Sequence, residues 1–157
     1  EIAAQALIDA MSGEQIRPEK LEGMPLPLWR LAGATDTRPF AKAASCNQDI
    51  AADGAFTIAM LTDFRAVMML EGADGYRRLH HECGVIGQVL YLEAEAAGFS
   101  GTGIGCFFDD MVHRQLGFGE VPDWQDLYHF AVGRAVTDDR LTTDPGYPPD
   151  HPARQSR

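Results

Sequence analysis

The sequence predicts a single domain in which helices and strands are mixed along the chain, and three observations carry that expectation. A short apolar run at residues 54–61 is bounded by Asp53-Gly54 and Thr62-Asp63, as a strand buried on both faces would be. From Tyr76 onward, Leu79, Cys83, Ile86, Leu90 and Ala94 recur at helical spacing until Gly98. A second strand-like run occupies 126–133. Between helix and strand lie a glycine-rich segment and a shorter helix, giving the order strand, helix, glycine loop, helix, strand.

Ile2, Leu7, Ile8 and Met11 set a first helix over residues 1–11, stopped by Ser12-Gly13. Pro18, Pro25, Pro27 and Pro39, with Gly13, Gly23 and Gly33, then punctuate the chain as far as Ala44. Only short helical pieces, such as 28–32, are expected in this wrapping segment. The run at 54–61 is read as a core strand. The helix reaching Gly98 is expected to be long and mostly buried, with Gly98 as its C-terminal cap. Gly84 and Gly87 inside it each cost about 1 kcal/mol of helix propensity, so a second helix or a flat ligand should approach the backbone there. Residues 109–116 form a further helix, followed by a Gly/Pro loop and the strand at 126–133. One domain therefore covers 1–143, and the tail 144–157, with Pro145, Pro148, Pro149 and Pro152, should lie extended.

Composition narrows the function. The 157 residues are 45% hydrophobic, and 23 acidic against 13 basic side chains leave a net charge of −10, which sets the surface against polyanions. Nucleic acid is excluded as a partner on that ground, and a membrane because no apolar run approaches the roughly 20 residues a span needs. Cys46, Cys83 and Cys106 are odd in number and contain no C-x-x-C pair, so neither a disulfide framework nor a zinc knuckle is expected. A reducing, cytoplasmic compartment is the simpler reading. Because the first helix is already under way at Glu1, the chain is expected to continue into a longer protein before it.

The candidate site is the segment Ser100, Gly101, Thr102, Gly103, Ile104, Gly105. Alternating glycines there permit positive φ and let backbone N–H groups lie against a flat cofactor or a phosphate. The segment is neither G-x-G-x-x-G nor a Walker loop, and a bare G-x-G-x-G is often a plain turn, which taken alone is the favoured reading. His80, His81, Glu82 and Cys83 suggest a metal, but neighbours on a helix diverge by about 100° and H-E-x-x-H is absent, so no metal site is expected. Cys106 lacks an assignable His–Asn partner and is read as a small buried hydrophobe. Asp138-Asp139 before Arg140 reads as a solvated turn, and Trp29 and Trp124 as packing anchors.

Several separate pieces together resemble the nitroreductase superfamily, and within it the SagB-type dehydrogenase branch. They are Cys46-Asn47-Gln48, Gly75-Tyr76-Arg77-Arg78, Glu82-Cys83-Gly84 with Gln88, Ala97-Gly98-Phe99 leading into 100–105, Phe108-Asp109-Asp110, Leu116-Gly117 and 127–133. The resemblance covers residues 46–133. It implies an α+β fold, an antiparallel or mixed sheet flanked by helices with a long central helix. It also implies an FMN-dependent oxidoreductase, a homodimer with flavin at the subunit interface, and a small-molecule or peptide substrate. Carried over by position, residues 100–105 and Gln88 fall beside the flavin, and Arg134 or Arg140 near its phosphate. The superfamily's arginine-rich start is absent from 1–11, and the Lys-Tyr pair of azoline-dehydrogenating members is missing, since Lys20 and Lys42 do not precede Tyr. The chain therefore reads as the C-terminal part of a flavoprotein; the other reading is a flavin-free binding or scaffolding domain on the same fold. The helix over 77–97 is expected to form much of the dimer interface. Gly103→Val is expected to release cofactor from a folded domain, and Arg140, or else Arg134, to hold the phosphate.

Overall fold

A computed structural model describes residues 2–11, 16–32, 36–119 and 123–142. Helix α1 (Ile2–Ala10) is where the sequence places it, while its Ser12-Gly13 stop and the tail from Asp144 lie outside the described residues. Strands β1 (Arg17–Lys20) and β2 (Trp29–Ala32) form an antiparallel hairpin with Lys20 opposite Trp29. The helical piece expected at 28–32 is thus a strand. A helix of one turn satisfies almost none of its own backbone groups, whereas pairing with 17–20 satisfies a ladder of them.

Helix α2 (Arg38–Ala44) carries Pro39 in its first turn, where the missing N–H costs nothing. A tight turn leads into the one-turn α3 (Ile50–Asp53), with Cys46 and Asn47 both in the left-handed region at φ 54° and 57°. Strand β3 (Phe56–Asp63) contains the run expected to be buried on both faces, yet only Met60 is buried and Phe56 is exposed. The reason is its place in the sheet. The order is β3-β5-β4, all antiparallel, so β3 is an edge and β5 (Trp124–Gly133) holds the centre.

Helix α4 (Phe64–Ala96) begins earlier than the periodicity suggests, because it consists of two helical segments joined at Gly72, where φ 59° and ψ −141° break the helix. Asp63 caps the first segment by accepting from the Ala66 N–H at 3.0 Å. Gly98, at φ 75°, ends the second segment, with the Phe99 N–H returning to the Ala94 carbonyl. The expected burial of this helix is not met within the chain. Gly75, Leu79, Gly87 and Ala94 are buried, while Val85, Ile86, Val89 and Leu92 are exposed. Gly87 is closely approached, since a Cβ there would lie 3.2 Å from the Tyr128 ring; at Gly84 nothing comes within 4 Å.

The glycine loop is a strand. Residues Ser100–Ile104 form β4, paired with β5 from Ser100 opposite Gly133 to Ile104 opposite His129. None of its glycines has positive φ. Their smallness is used for packing: a Cβ at Gly101 would fall 2.7 Å from the Phe130 ring, and one at Gly103 would strike the Tyr128 hydroxyl. After β4, helix α5 (Asp109–Leu116) covers the residues the sequence assigns to it and ends at Gly117, which is left-handed.

Period-two alternation along β5 builds two cores. Phe130 and Val132 pack with Met60 and Ala94 under α4, joined by Tyr128, Leu90 and Phe99. Ala131 packs on the opposite face with Ala51 and Ile104, against Ala41 of α2.

Candidate functional site

A cavity of about 410 Å³ opens where α3, β4 and the segment following β5 meet. Ser100 and Thr102, on the face of β4 away from α4, line one wall, and Asp53 lies across from them. Gly54 and Gly133 let two chains converge there: a Cβ at Gly133 would lie 3.1 Å from the Gly54 Cα. Arg134 also lines the cavity, with its guanidinium 5.8 Å over the Phe99 ring, which packs on the α4 side of the sheet. Among the described residues no carboxylate pairs with it.

Arg140 is placed differently. Its guanidinium is bidentate to Asp138, with Nε to Oδ1 at 2.8 Å and Nη2 to Oδ2 at 2.7 Å, and it is not among the residues lining this cavity. The same pairing holds the Asp138 carboxyl below the usual carboxylate range. Its side chain is 89% exposed, so this is an ordinary solvated pair.

The remaining candidates are dispersed. Gly101 and Gly103 face α4, where the Gly103 N–H donates to the Tyr91 hydroxyl at 2.8 Å. Ile104 is buried in the small core, and Gln88 is exposed on α4. Gly105 borders a second cavity of about 330 Å³, with Tyr76, His80, Phe107, Asp109 and Asp126. Of the sequence-derived set, the first cavity gathers Ser100, Thr102 and Arg134. Burial pushes the Tyr128 phenol and the Cys83 thiol up from their ordinary values, so both stay protonated at neutral pH.

Two features near these cavities escape the sequence reading. Cys46 and Cys106 form a disulfide with Cα atoms 5.8 Å apart. Neither cysteine is a buried free thiol, and Cys106 is exposed; the pairing was hidden because 60 positions separate the two in the chain. Gln48 reinforces the link by donating to the Ser45 carbonyl at 2.8 Å and the Cys106 carbonyl at 3.1 Å. Beneath it runs a buried chain: Ser45 Oγ lies 3.0 Å from His129 Nδ1, and His129 Nε2 lies 2.7 Å from Asp126 Oδ2. The sequence signal for this chain was Asp126 and His129, two ionisable residues in a strand that is otherwise uncharged.

The Nitroreductase family matches residues 3–134. The chain belongs to this family. Among solved structures, this nitroreductase-family chain is similar to a protein described as a nitroreductase from Anabaena variabilis ATCC 29413, at 30% identity and a TM-score of 0.61. That match covers 68% of this chain and 21% of the other. Nitroreductase A from Vibrio parahaemolyticus RIMD 2210633 shares the fold at 14% identity and a TM-score of 0.54, with 89% of this chain and 60% of that one covered. The chain thus spans less than two thirds of either structure. No curated protein matches it. The expected α+β architecture with an antiparallel sheet and a long central helix is present. Among the described residues no helix is long and apolar enough to cross a membrane.

Proposed function

We propose that this nitroreductase-family chain is the C-terminal portion of an FMN-dependent oxidoreductase of the SagB-type dehydrogenase branch, acting on a small-molecule or peptide substrate. The observation that supports the reading is that Ser100, Thr102 and Arg134, which no carboxylate pairs with among the described residues, line one cavity. These residues fit a phosphate-bearing cofactor: two hydroxyls donate, the guanidinium supplies charge, and the Gly54–Gly133 approach keeps side-chain bulk away. Asp53 on the same cavity repels an anion and so favours its seating at the Arg134 end. FMN, when bound, supplies hydride transfer; the chain's own residues bind and orient it.

The reading includes a homodimer through α4. Val85, Ile86, Val89 and Leu92 leave an exposed apolar stripe on its second segment, which a second copy would cover. It also includes a cytoplasmic location, and the Cys46–Cys106 bond is the feature that opposes that compartment, since cytosolic thiols keep most cysteines reduced.

Titration of the apo-protein with FMN tests the reading. Saturable binding is expected, weakened about tenfold or more in Arg134→Ala, where a charge-assisted contact is lost, and unchanged in Arg140→Ala. Absence of flavin binding, with a clean monomer in light scattering, would leave a flavin-free domain on the same fold.

A further inference from the structure

The second cavity carries an unpaid electrostatic demand. Asp126, which forms part of its wall, is 2% exposed, and its Oδ1 has no hydrogen-bond partner among the described residues. A bulge accounts for its position. Met60 pairs with Tyr128 and Leu61 with Asp126, so Leu127 is the extra residue and the alternation of β5 reverses there. Asp126 is thereby brought to the same side as His129.

The neighbouring imidazoles do not complete the carboxylate. His129 Nε2 serves Oδ2 at 2.7 Å. His113 Nε2 accepts the Asp126 backbone N–H at 3.1 Å, so that nitrogen carries no proton to offer. A desolvated carboxylate with one oxygen unsatisfied is costly, and the remedy is a donor, best a charged one.

The rest of the wall selects the class of donor. Asp109 adds a second carboxylate, already taking the Gln125 amide on Oδ2 at 2.6 Å, and no Lys or Arg lines the cavity. Tyr76, His80 and Phe107 supply aromatic surface, with the Tyr76 and His80 rings 4.5 Å apart. Among the described residues no group of three or more acidic, histidine or cysteine side chains is arranged to hold a metal. Negative charge, aromatic rings and a cavity of about 330 Å³ suit an organic cation.

We propose that this cavity binds a small organic cation with N–H donors, an alkylammonium or guanidinium group, one of whose hydrogens reaches the Asp126 carboxylate. The site does not depend on the flavin reading, and its test contains no flavin.

Calorimetric titration of the full chain at low ionic strength with methylguanidinium and with n-butylammonium should show saturable binding. Tetramethylammonium, which keeps the charge but has no N–H, should bind about tenfold more weakly or worse. Asp126→Asn should weaken methylguanidinium about tenfold or more, the loss expected for one charge-assisted hydrogen bond, while Asp74→Asn on exposed α4 should change nothing. Equal binding of tetramethylammonium, undiminished binding by Asp126→Asn, displacement of the probe by equimolar Mg²⁺, or no saturation would each overturn the proposal. Should Asp126→Asn fail to fold, Tyr76→Ala and Asp109→Asn take its place; a loss of about threefold or more in either is expected, and no loss in both overturns it.

Discussion

The two faces of the three-stranded sheet are held by different means, although β5 serves both. Toward α4, cohesion is steric: Tyr128 and Phe130 fill the space that Gly87, Gly101 and Gly103 leave open, with Tyr91 edge-on to Phe130 at 4.8 Å. Toward α2 and α5 it is polar and covalent, through the Ser45–His129–Asp126 chain, Phe107 stacked 4.5 Å from His129, and the Cys46–Cys106 link above them. The first arrangement is sensitive to added volume and the second to lost partners. The Leu127 bulge is the boundary between them, because it decides which face a polar residue of β5 joins.

This contrast can be broken most forcefully at the disulfide. Cross-linking positions 60 apart restricts the unfolded chain, so Cys46→Ser with Cys106→Ser should lower unfolding free energy by about 4 kcal/mol on the loop-entropy scale. Urea denaturation of the oxidised parent against the double variant measures it. Cys83, a protonated and half-buried thiol, should remain the slow site in alkylation of both proteins. An unchanged midpoint would mean that the polar face is held by its hydrogen bonds alone.

Bulk on the opposite face comes next. Gly103→Val, which the sequence alone suggested would spare the fold, should instead cost about 3 kcal/mol, because its Cβ meets the Tyr128 hydroxyl oxygen and lies 3.0 Å from Cζ. Tyr128→Ala in the same chain should recover at least about 1 kcal/mol of coupling in a double-mutant cycle. Additivity would show that the glycine is not reserved for that ring.

The smallest effect sharpens the polar side. Ser45→Ala removes one partner of His129 without adding volume and should cost about 1–2 kcal/mol by thermal denaturation. A cost below that of an exposed Ser→Ala change would remove the buried chain from the stability of this face.

How much of this was legible in the sequence depended on how local each cause is. Helix α5 was legible because it and the Gly/Pro loop that follows it are set within one short stretch of chain. Gly98 was legible for the same reason. Strand β4 was not, since glycine suppresses the strand signal and its justification lies across the sheet in Tyr128 and Phe130. The first segment of α4 was missed because Gly72 breaks the periodicity that would have joined it to the second. The candidate site divided along the same line. Ser100 and Thr102 were named from the glycines beside them and Arg134 from the family resemblance, whereas Asp126, His129 and Ser45 acquire meaning only once 84 positions of chain are folded back between Ser45 and His129.

The disulfide also makes a closed covalent ring of everything from Cys46 to Cys106, and the exposed break in α4 at Gly72 lies inside that ring. A protease that cuts there separates no fragment. The nicked molecule would keep its full mass plus one water and fall into two pieces only when a reductant opens the ring.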